Sequence, residues 1–230
     1  MTLVVLDVDG VLIDVQQSFT HIVRELSGAS DADIAIFKAH GGFNDDWELA
    51  RAAKAWIAAG RPSVLHNAKT WRDVVEACGN DPGDLTPACI DLYRGGYWTR
   101  EVPLVSTDLL ERVASRFSIA ACTGRDEWEM ERAEKLLGFS FSRKTTSEHA
   151  RKPNADALLR LLHRDEDLVV FLGDTEADRQ TVLAAREEID LTILFYEVSR
   201  RTPAAKLMEA MWEATDARDV ATRLCEPTDR

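Results

Sequence analysis

The sequence contains no apolar run near the ~20 residues that a membrane-crossing helix requires. It has no basic surplus either: 28 Lys and Arg face 40 Asp and Glu, for a formal net charge of −12. The first absence argues against a membrane protein. The second argues against nucleic acid and anionic lipid as partners, because an acidic surface repels polyanions. A small phosphorylated ligand is still compatible, since a local pocket can carry a cation. Cysteine is scarce. Cys78, Cys89, Cys122 and Cys225 lack the close spacing of a zinc knuckle or a redox pair, and fit free thiols in a reducing cytoplasm. The opening residues run straight into an apolar segment with two acids, unlike a secretory leader. The five histidines form no cluster at metal-ligand spacing, and neither an internal repeat nor a low-complexity tract occurs. Residues 226–230 are expected to fray.

What is present suits a soluble globular chain. Of 230 residues, 45% are hydrophobic and 30% charged, enough for one core with a smaller inserted domain. Leu3–Leu6 is a dense, β-branched-rich run of the kind that forms a strand buried on both faces. Similar runs span Phe117–Cys122, Leu168–Leu172 and Leu191–Tyr196. Helical patterns separate them. Leu109, Leu110 and Val113 mark one, and Trp128, Ala133, Leu136 and Leu137, stopped by Gly138, a second. Ala157, Leu158, Leu161 and Leu162 mark a third, and Val182, Ala185 and Ile189 a fourth. Strands alternating with helices predict an α/β fold, a Rossmann-like parallel sheet with helices on both faces.

Residues 15–98 differ. Phe19, Ile22, Val23 and Leu26 recur at helical spacing, as do Ile34 and Phe37, and then Trp47, Ala50, Ala53, Trp56 and Ile57. Gly60-Arg61-Pro62 ends the last of these. Trp71, Val74, Val75 and Cys78, closed by Gly79, form another, and Leu85, Cys89, Leu92 and Tyr93 one more. The block is too long for a loop. The expected division is therefore a catalytic core of residues 1–14 and 99–230 and an all-helical insertion of residues 15–98. Trp47, Trp56 and Trp71 fall on the apolar faces and are expected in its core.

Four short segments carry chemistry, each at a strand end or helix start, where open α/β sheets bind ligands. After the first strand comes Asp7-Val8-Asp9-Gly10. Extended backbone puts the two carboxylates on one face. One can attack phosphorus while the other protonates a leaving oxygen, although a plain strand-end turn also uses Asp and Gly. Cys122-Thr123-Gly124-Arg125 offers a hydroxyl and a backbone N–H to phosphate, or simply a helix cap. Lys152-Pro153 precedes a helix. Its ammonium can neutralise a phosphoryl group or lie on the surface. Gly173-Asp174-Thr175-Glu176-Ala177-Asp178 supplies hard oxygen ligands suited to Mg²⁺, or acids favouring a helix dipole.

In this order the motifs resemble the haloacid dehalogenase superfamily, specifically phosphatase-like members of subfamily I with a helical cap. The resemblance implies Asp7 as nucleophile and Asp9 as general acid/base. It implies Mg²⁺ on the Asp7 carboxylate, the Asp9 carbonyl and Asp174, with Asp178 supporting the metal or orienting Lys152. Thr123 and the Gly124 N–H would hold phosphoryl oxygens. Lys152 would balance charge, with Lys144 a rival lacking the adjacent proline. The first strand would be central, flanked by those leading to Thr123 and Asp174. Asp9 sets aside the dehalogenase and phosphonate-cleaving branches, which lack an acid there.

The insertion would be the cap that supplies specificity. Within it Gly42, Phe43 and Asn44 are candidates to face the substrate, or form an inter-helix turn with Asn44 as the next N-cap. Arg125 reaches either a substrate carboxylate or second phosphate, or a surface acid such as Asp126 or Glu129. The expected activity is Mg²⁺-dependent hydrolysis of a small phosphorylated metabolite through an aspartyl phosphate, in the cytoplasm. Neither nucleic acid nor membrane is an expected partner. The alternatives are a sugar phosphomutase and a catalytically silent binding protein. The natural substrate, and monomer against homodimer, stay open.

Overall fold

The computed structural model describes residues 1–40, 43, 45–214 and 217–225. In chain order its strands and α-helices begin with β1 (Thr2–Leu6), β2 (Ile13–Asp14), α1 (Phe19–Ser27), α2 (Asp31–Ala39) and α3 (Asp46–Ala58). Next come α4 (Trp71–Cys78), α5 (Thr86–Arg94), β3 (Val102–Pro103), α6 (Thr107–Ala114) and β4 (Ser118–Cys122). They continue with α7 (Glu127–Leu137), β5 (Arg143–Thr145), α8 (Asp156–Leu159), β6 (Leu168–Gly173) and α9 (Glu176–Glu188). The last are β7 (Thr192–Glu197), α10 (Ala204–Glu213) and α11 (Ala217–Cys225). None of the described helices is long and apolar enough to cross a membrane. The chain separates into two compact units. One holds Met1–Asp14, Val102–Asp174 and the chain from Asp178 onward; the other holds Val15–Glu101 with Thr175–Ala177.

The first unit is built on a parallel sheet, five-stranded among the described residues, in the order β5-β4-β1-β6-β7. β1 is central, with Val4 opposite both Ile119 and Val170. Leu3 to Leu6 are fully buried, which is why this strand reads as an unbroken apolar run rather than an alternating one. Leu3, Val5, Ala120, Val169 and Phe171 meet Leu158, Val182 and Ala185 from α8 and α9, each large side chain stabilising the fold by ~2 kcal/mol when buried. α10 packs on α6. Arg116, just beyond α6, donates to the carbonyls of Trp212 and Ala214, the latter at 2.6 Å, and so satisfies orphan acceptors at the end of α10. The strand order places the carboxyl ends of β4, β1 and β6 side by side, which fixes where Thr123, Asp7 and Asp174 must lie.

The sheet differs from expectation in three places. The edge strand β5, Arg143-Lys144-Thr145, has no apolar run to announce it; edge strands tolerate polar side chains. A two-stranded antiparallel pair, β2 with β3, sets Ile13 opposite Pro103 and Asp14 opposite Val102. α8 is a single turn, shorter than the pattern through Leu162 predicts. It has no side-chain N-cap, and beyond Leu159 the N–H groups of Leu161 and Leu162 bond three residues back, tightening the chain out of the α form.

The second unit is helical over α1 to α5. Local chemistry sets its helix ends: capping boxes Ser30/Asp33 and Thr70/Asp73 start α2 and α4, and left-handed Gly28 and Gly79 stop α1 and α4. Its core is aromatic. Phe19 stacks on Tyr93 at 4.5 Å with Trp47 beside it at 5.2 Å. Phe37 meets Trp56 edge-on at 5.5 Å. Trp71 lies instead under the Arg51 guanidinium, 4.2 Å from its centroid.

Candidate active site

Asp7 continues β1 by one residue, its N–H still donating to the Leu172 carbonyl of β6 at 3.0 Å, and it is buried. The chain then turns: Leu12 N–H bonds to Val8 O at 2.9 Å, and Gly10 N–H to Ile13 O at 2.8 Å. Across the sheet, β6 ends at Gly173. Asp174 follows on an exposed position, and Asp178 is fully buried in the first turn of α9. One carboxylate oxygen from each of Asp7, Asp174 and Asp178 lies within 4.8 Å of the others. Lys152 is buried among them, its Nζ 2.9 Å from Asp7 Oδ1 and 2.6 Å from Asp178 Oδ1. Lys144, the rival, is paired elsewhere, with Glu134 Oε2 at 2.9 Å.

Three carboxylates crowd around the Lys152 ammonium, which pairs with two of them. Burial pushes the Asp7 carboxyl well above its ordinary range, and the Asp178 carboxylate pushes it further, against the pull of Lys152. For Lys152, burial alone drives the ammonium down. The adjoining Asp178 and Asp7 carboxylates outweigh that and hold it charged. An all-oxygen donor set of three clustered carboxylates fits a divalent hard cation such as Mg²⁺, and the fit comes from the residues themselves.

Two glycines make this convergence possible. Gly10 has φ +75°, and a methyl group there would stand 2.1 Å from Asp174 Oδ2. At Gly173 it would stand 2.5 Å from the Asp178 Cβ. The backbone at these positions lies so close to the carboxylates that any side chain would displace them.

Thr123 directly follows β4 and is buried, its N–H bonded to Thr145 O at 2.9 Å. It is not the cap of α7. Asp126 is, accepting from Glu129 N–H at 2.7 Å while Glu129 Oε2 accepts from Asp126 N–H at 2.9 Å. The Thr123 hydroxyl instead accepts from Arg125 N–H at 3.2 Å. Gly124 lies between them on the same loop. The Arg125 guanidinium is fully buried and pairs with Asp9. Nε and Nη2 both reach Asp9 Oδ1, at 2.8 and 2.6 Å, with the Asp9 side chain 28% exposed. Asp9, Thr123 and Arg125 thus form a second polar group one strand over from the carboxylate cluster. Pattern reading singled out Arg125 but not its partner, 116 residues away in the chain. It took Glu129 for a surface acid, whereas Glu129 is buried, and burial pushes its carboxyl up to about 8. The D-x-x-E spacing of a capping box was the available signal.

Among the insertion candidates, one is corrected. Phe43 is buried in the helical unit, edge-on to Phe37 at 5.0 Å, so its ring fills that unit's core instead of facing a ligand. Gly42 and Asn44 lie outside the described residues. The N-cap of α3 is Asp45, accepting from Trp47 and Glu48 N–H at 3.0 and 3.2 Å.

A family model described as haloacid dehalogenase-like hydrolase matches residues 1–186. Among solved structures, phosphatase Tt82 from Thermococcus thioreducens is 27% identical, with 92% of this chain and 99% of that one covered and a TM-score of 0.71. A haloacid dehalogenase-like family hydrolase from Streptococcus pneumoniae shares the fold at 17% identity, covering 97% and 90%, with a TM-score of 0.52. A hydrolase from Pseudomonas syringae does so at 15% identity, covering 91% and 97%, with a TM-score of 0.55. A comparison with curated proteins found no match.

Proposed function

The chain belongs to the haloacid dehalogenase-like hydrolases, and on that premise we propose that it is a magnesium-dependent phosphatase of small phosphate monoesters, with Asp7 as nucleophile. The reading rests on one observation above all: the carboxylates of Asp7, Asp174 and Asp178 converge with the Lys152 ammonium at the carboxyl edge of the sheet. The likeness to the Thermococcus thioreducens phosphatase supports the same reaction class.

Lys152 holds Asp7 through Oδ1, which orients the carboxylate and leaves its other oxygen to attack phosphorus. The P–O bond to the leaving group breaks as the Asp7–phosphorus bond forms, and the departing oxygen takes a proton from Asp9. Water then attacks the phosphoryl group and gives its proton to Asp9, and Asp7 is released. Thr123 and the Gly124 N–H hold phosphoryl oxygens at the end of β4. Asp7, Asp174 and the Asp9 carbonyl would hold Mg²⁺, with Asp178 supporting. When bound, the ion supplies charge neutralisation between an anionic nucleophile and an anionic phosphate. The insertion, as a cap, would select the substrate.

The test is phosphate release from a panel of sugar and amino-alcohol phosphates, with Mg²⁺ and with EDTA. Release that requires Mg²⁺ and vanishes in Asp7→Asn is expected. Silence across the panel from folded, metal-loaded protein would overturn the reading. Conversion of a sugar phosphate to its isomer with little free phosphate would replace it with a mutase.

A further inference from the structure

In the mechanism just given, Asp9 must present a proton to one oxygen and recover it from another, and nothing so far explains what holds it in place. The side chain is partly exposed and lies in the turn just before Gly10, so by itself it would sample several rotamers. Arg125 is its constraint. Two N–H groups of one guanidinium converge on a single carboxylate oxygen, Nε to Oδ1 at 2.8 Å and Nη2 to Oδ1 at 2.6 Å. The clamp is itself anchored. Nη1 donates to the Glu129 carbonyl at 3.4 Å, the Arg125 N–H donates to the Thr123 hydroxyl at 3.2 Å, and the Arg125 carbonyl accepts from Ser147 N–H at 2.9 Å. The residue is buried to 1% exposure, so the guanidinium is walled in rather than swinging from the surface.

We propose that Arg125 is a positioning residue for Asp9, which fixes Oδ1 so that Oδ2 alone carries the proton to and from the reacting oxygens. The proposal rests on the phosphatase reading above. An oxygen that already accepts two charge-assisted N–H bonds has both lone pairs engaged, and protonating it would break at least one of the stronger hydrogen bonds in the site. Oδ2 carries no such load. In the first step the Asp7–phosphorus bond forms, the bond to the leaving oxygen breaks, and the Oδ2 proton moves to that oxygen. In the second, a water proton moves to Oδ2 as the water oxygen bonds phosphorus and the Asp7–phosphorus bond breaks. The net reaction consumes one water and returns Asp9 to its starting state. Arg125 is thereby spent on the acid/base group and does not contact the substrate's own anionic groups.

A leaving oxygen of low basicity needs no proton, so the signature is selective. Substituted phenyl phosphates, from p-nitrophenyl to unsubstituted phenyl, vary leaving-group basicity at nearly constant shape. Arg125→Met should lower kcat by roughly 10–100-fold on phenyl phosphate, with KM little changed, and cost far less on p-nitrophenyl phosphate. Asp9→Asn should show the same slope more steeply, and Arg125→Lys should restore part of the loss. Loss of equal size along the series, or a rise in KM alone, would overturn the proposal in favour of a structural or phosphate-binding role. Should Arg125→Met fail to fold by circular dichroism, the slope for Arg125→Lys decides, and a flat one overturns the proposal. A folded, Mg²⁺-loaded wild type that releases phosphate from no member of the series fails differently: it overturns the phosphatase reading, and this proposal with it.

Discussion

The ion pairs of the helical unit and the carboxylate cluster of the sheet unit join charges differently. In the helical unit Arg61 grips Asp33 at 3.1 and 3.0 Å, and Arg51 grips Asp81 at 2.9 and 2.5 Å, one guanidinium to one carboxylate with one partner of each pair reaching solvent. Each ties together segments about 30 residues apart, and each carboxyl is held below its ordinary range by its Arg hydrogen bonds. In the sheet unit one lysine serves a cluster of three carboxylates, and Asp7, Asp178 and Lys152 are all buried. One-to-one pairs open to solvent on one side add little to stability and cost little to keep. A buried cluster of like charges costs folding energy, so a fold retains one where chemistry needs a perturbed group.

Four perturbations would break or sharpen this contrast. The largest effect is expected for Asp7→Asn. Phosphate release should fall by ~10³-fold or more, since the nucleophile is gone. The melting temperature should hold or rise, because one of three crowded carboxylates has been neutralised. A lower melting temperature would show that the cluster stabilises the fold after all. Next, Lys152→Met strands the buried carboxylates and should cost ~3–5 kcal/mol in urea denaturation. Arg61→Ala, at a pair whose guanidinium is 48% exposed while Asp33 keeps its Ser30 hydrogen bonds, should move the denaturation midpoint far less. If the two variants were destabilised alike, the distinction would fail. Third, Mg²⁺ should raise the melting temperature of the wild type, by the equivalent of ~2.7 kcal/mol at a hundredfold excess over its dissociation constant. Asp174→Asn should blunt the response. The smallest effect concerns Glu129, whose carboxyl burial holds near 8 against about 4.5 when free. The folded chain keeps a proton that the unfolded chain releases, so this contribution is complete below about pH 4.5 and is lost as pH rises through 8. The slope is at most ~1.4 kcal/mol per pH unit. Glu129→Gln should flatten that limb of the melting-temperature profile.

Much of the frame was legible because burial on both faces writes a dense apolar run into the sequence. β1, β4 and β6 show it, with the motif residues at their ends, while β7 carries an apolar run although it is a part-buried edge strand. β5 was hidden because an edge strand can be Arg-Lys-Thr and still pair through its backbone. α8 was overcalled because Leu161 is buried like a helical residue while its backbone has already left the helix. The Lys152–Asp178 salt bridge spans 26 residues, so the resemblance offered it as one option while periodicity was silent on it. Periodicity was equally silent on Asp9 with Arg125. Periodicity reports which face of an element is buried, not which distant polar group it meets. Phe43 shows the complementary error: between glycines and asparagine it reads as a loop residue, yet a buried aromatic pocket was available to take it.

Gly10 and Gly173 donate no proton and bind no ion, yet nearly any replacement there intrudes on Asp174 or Asp178. A saturation library scored by turnover would rank both glycines with the acids they shelter. The same library scored by yield of folded protein should separate them. The obstacle at Gly10 is the mobile tip of a side chain, and at Gly173 it is a β-carbon rooted in a helix. Inert positions can thus carry the fingerprint of a reactive centre, and only the pair of readouts tells the two apart.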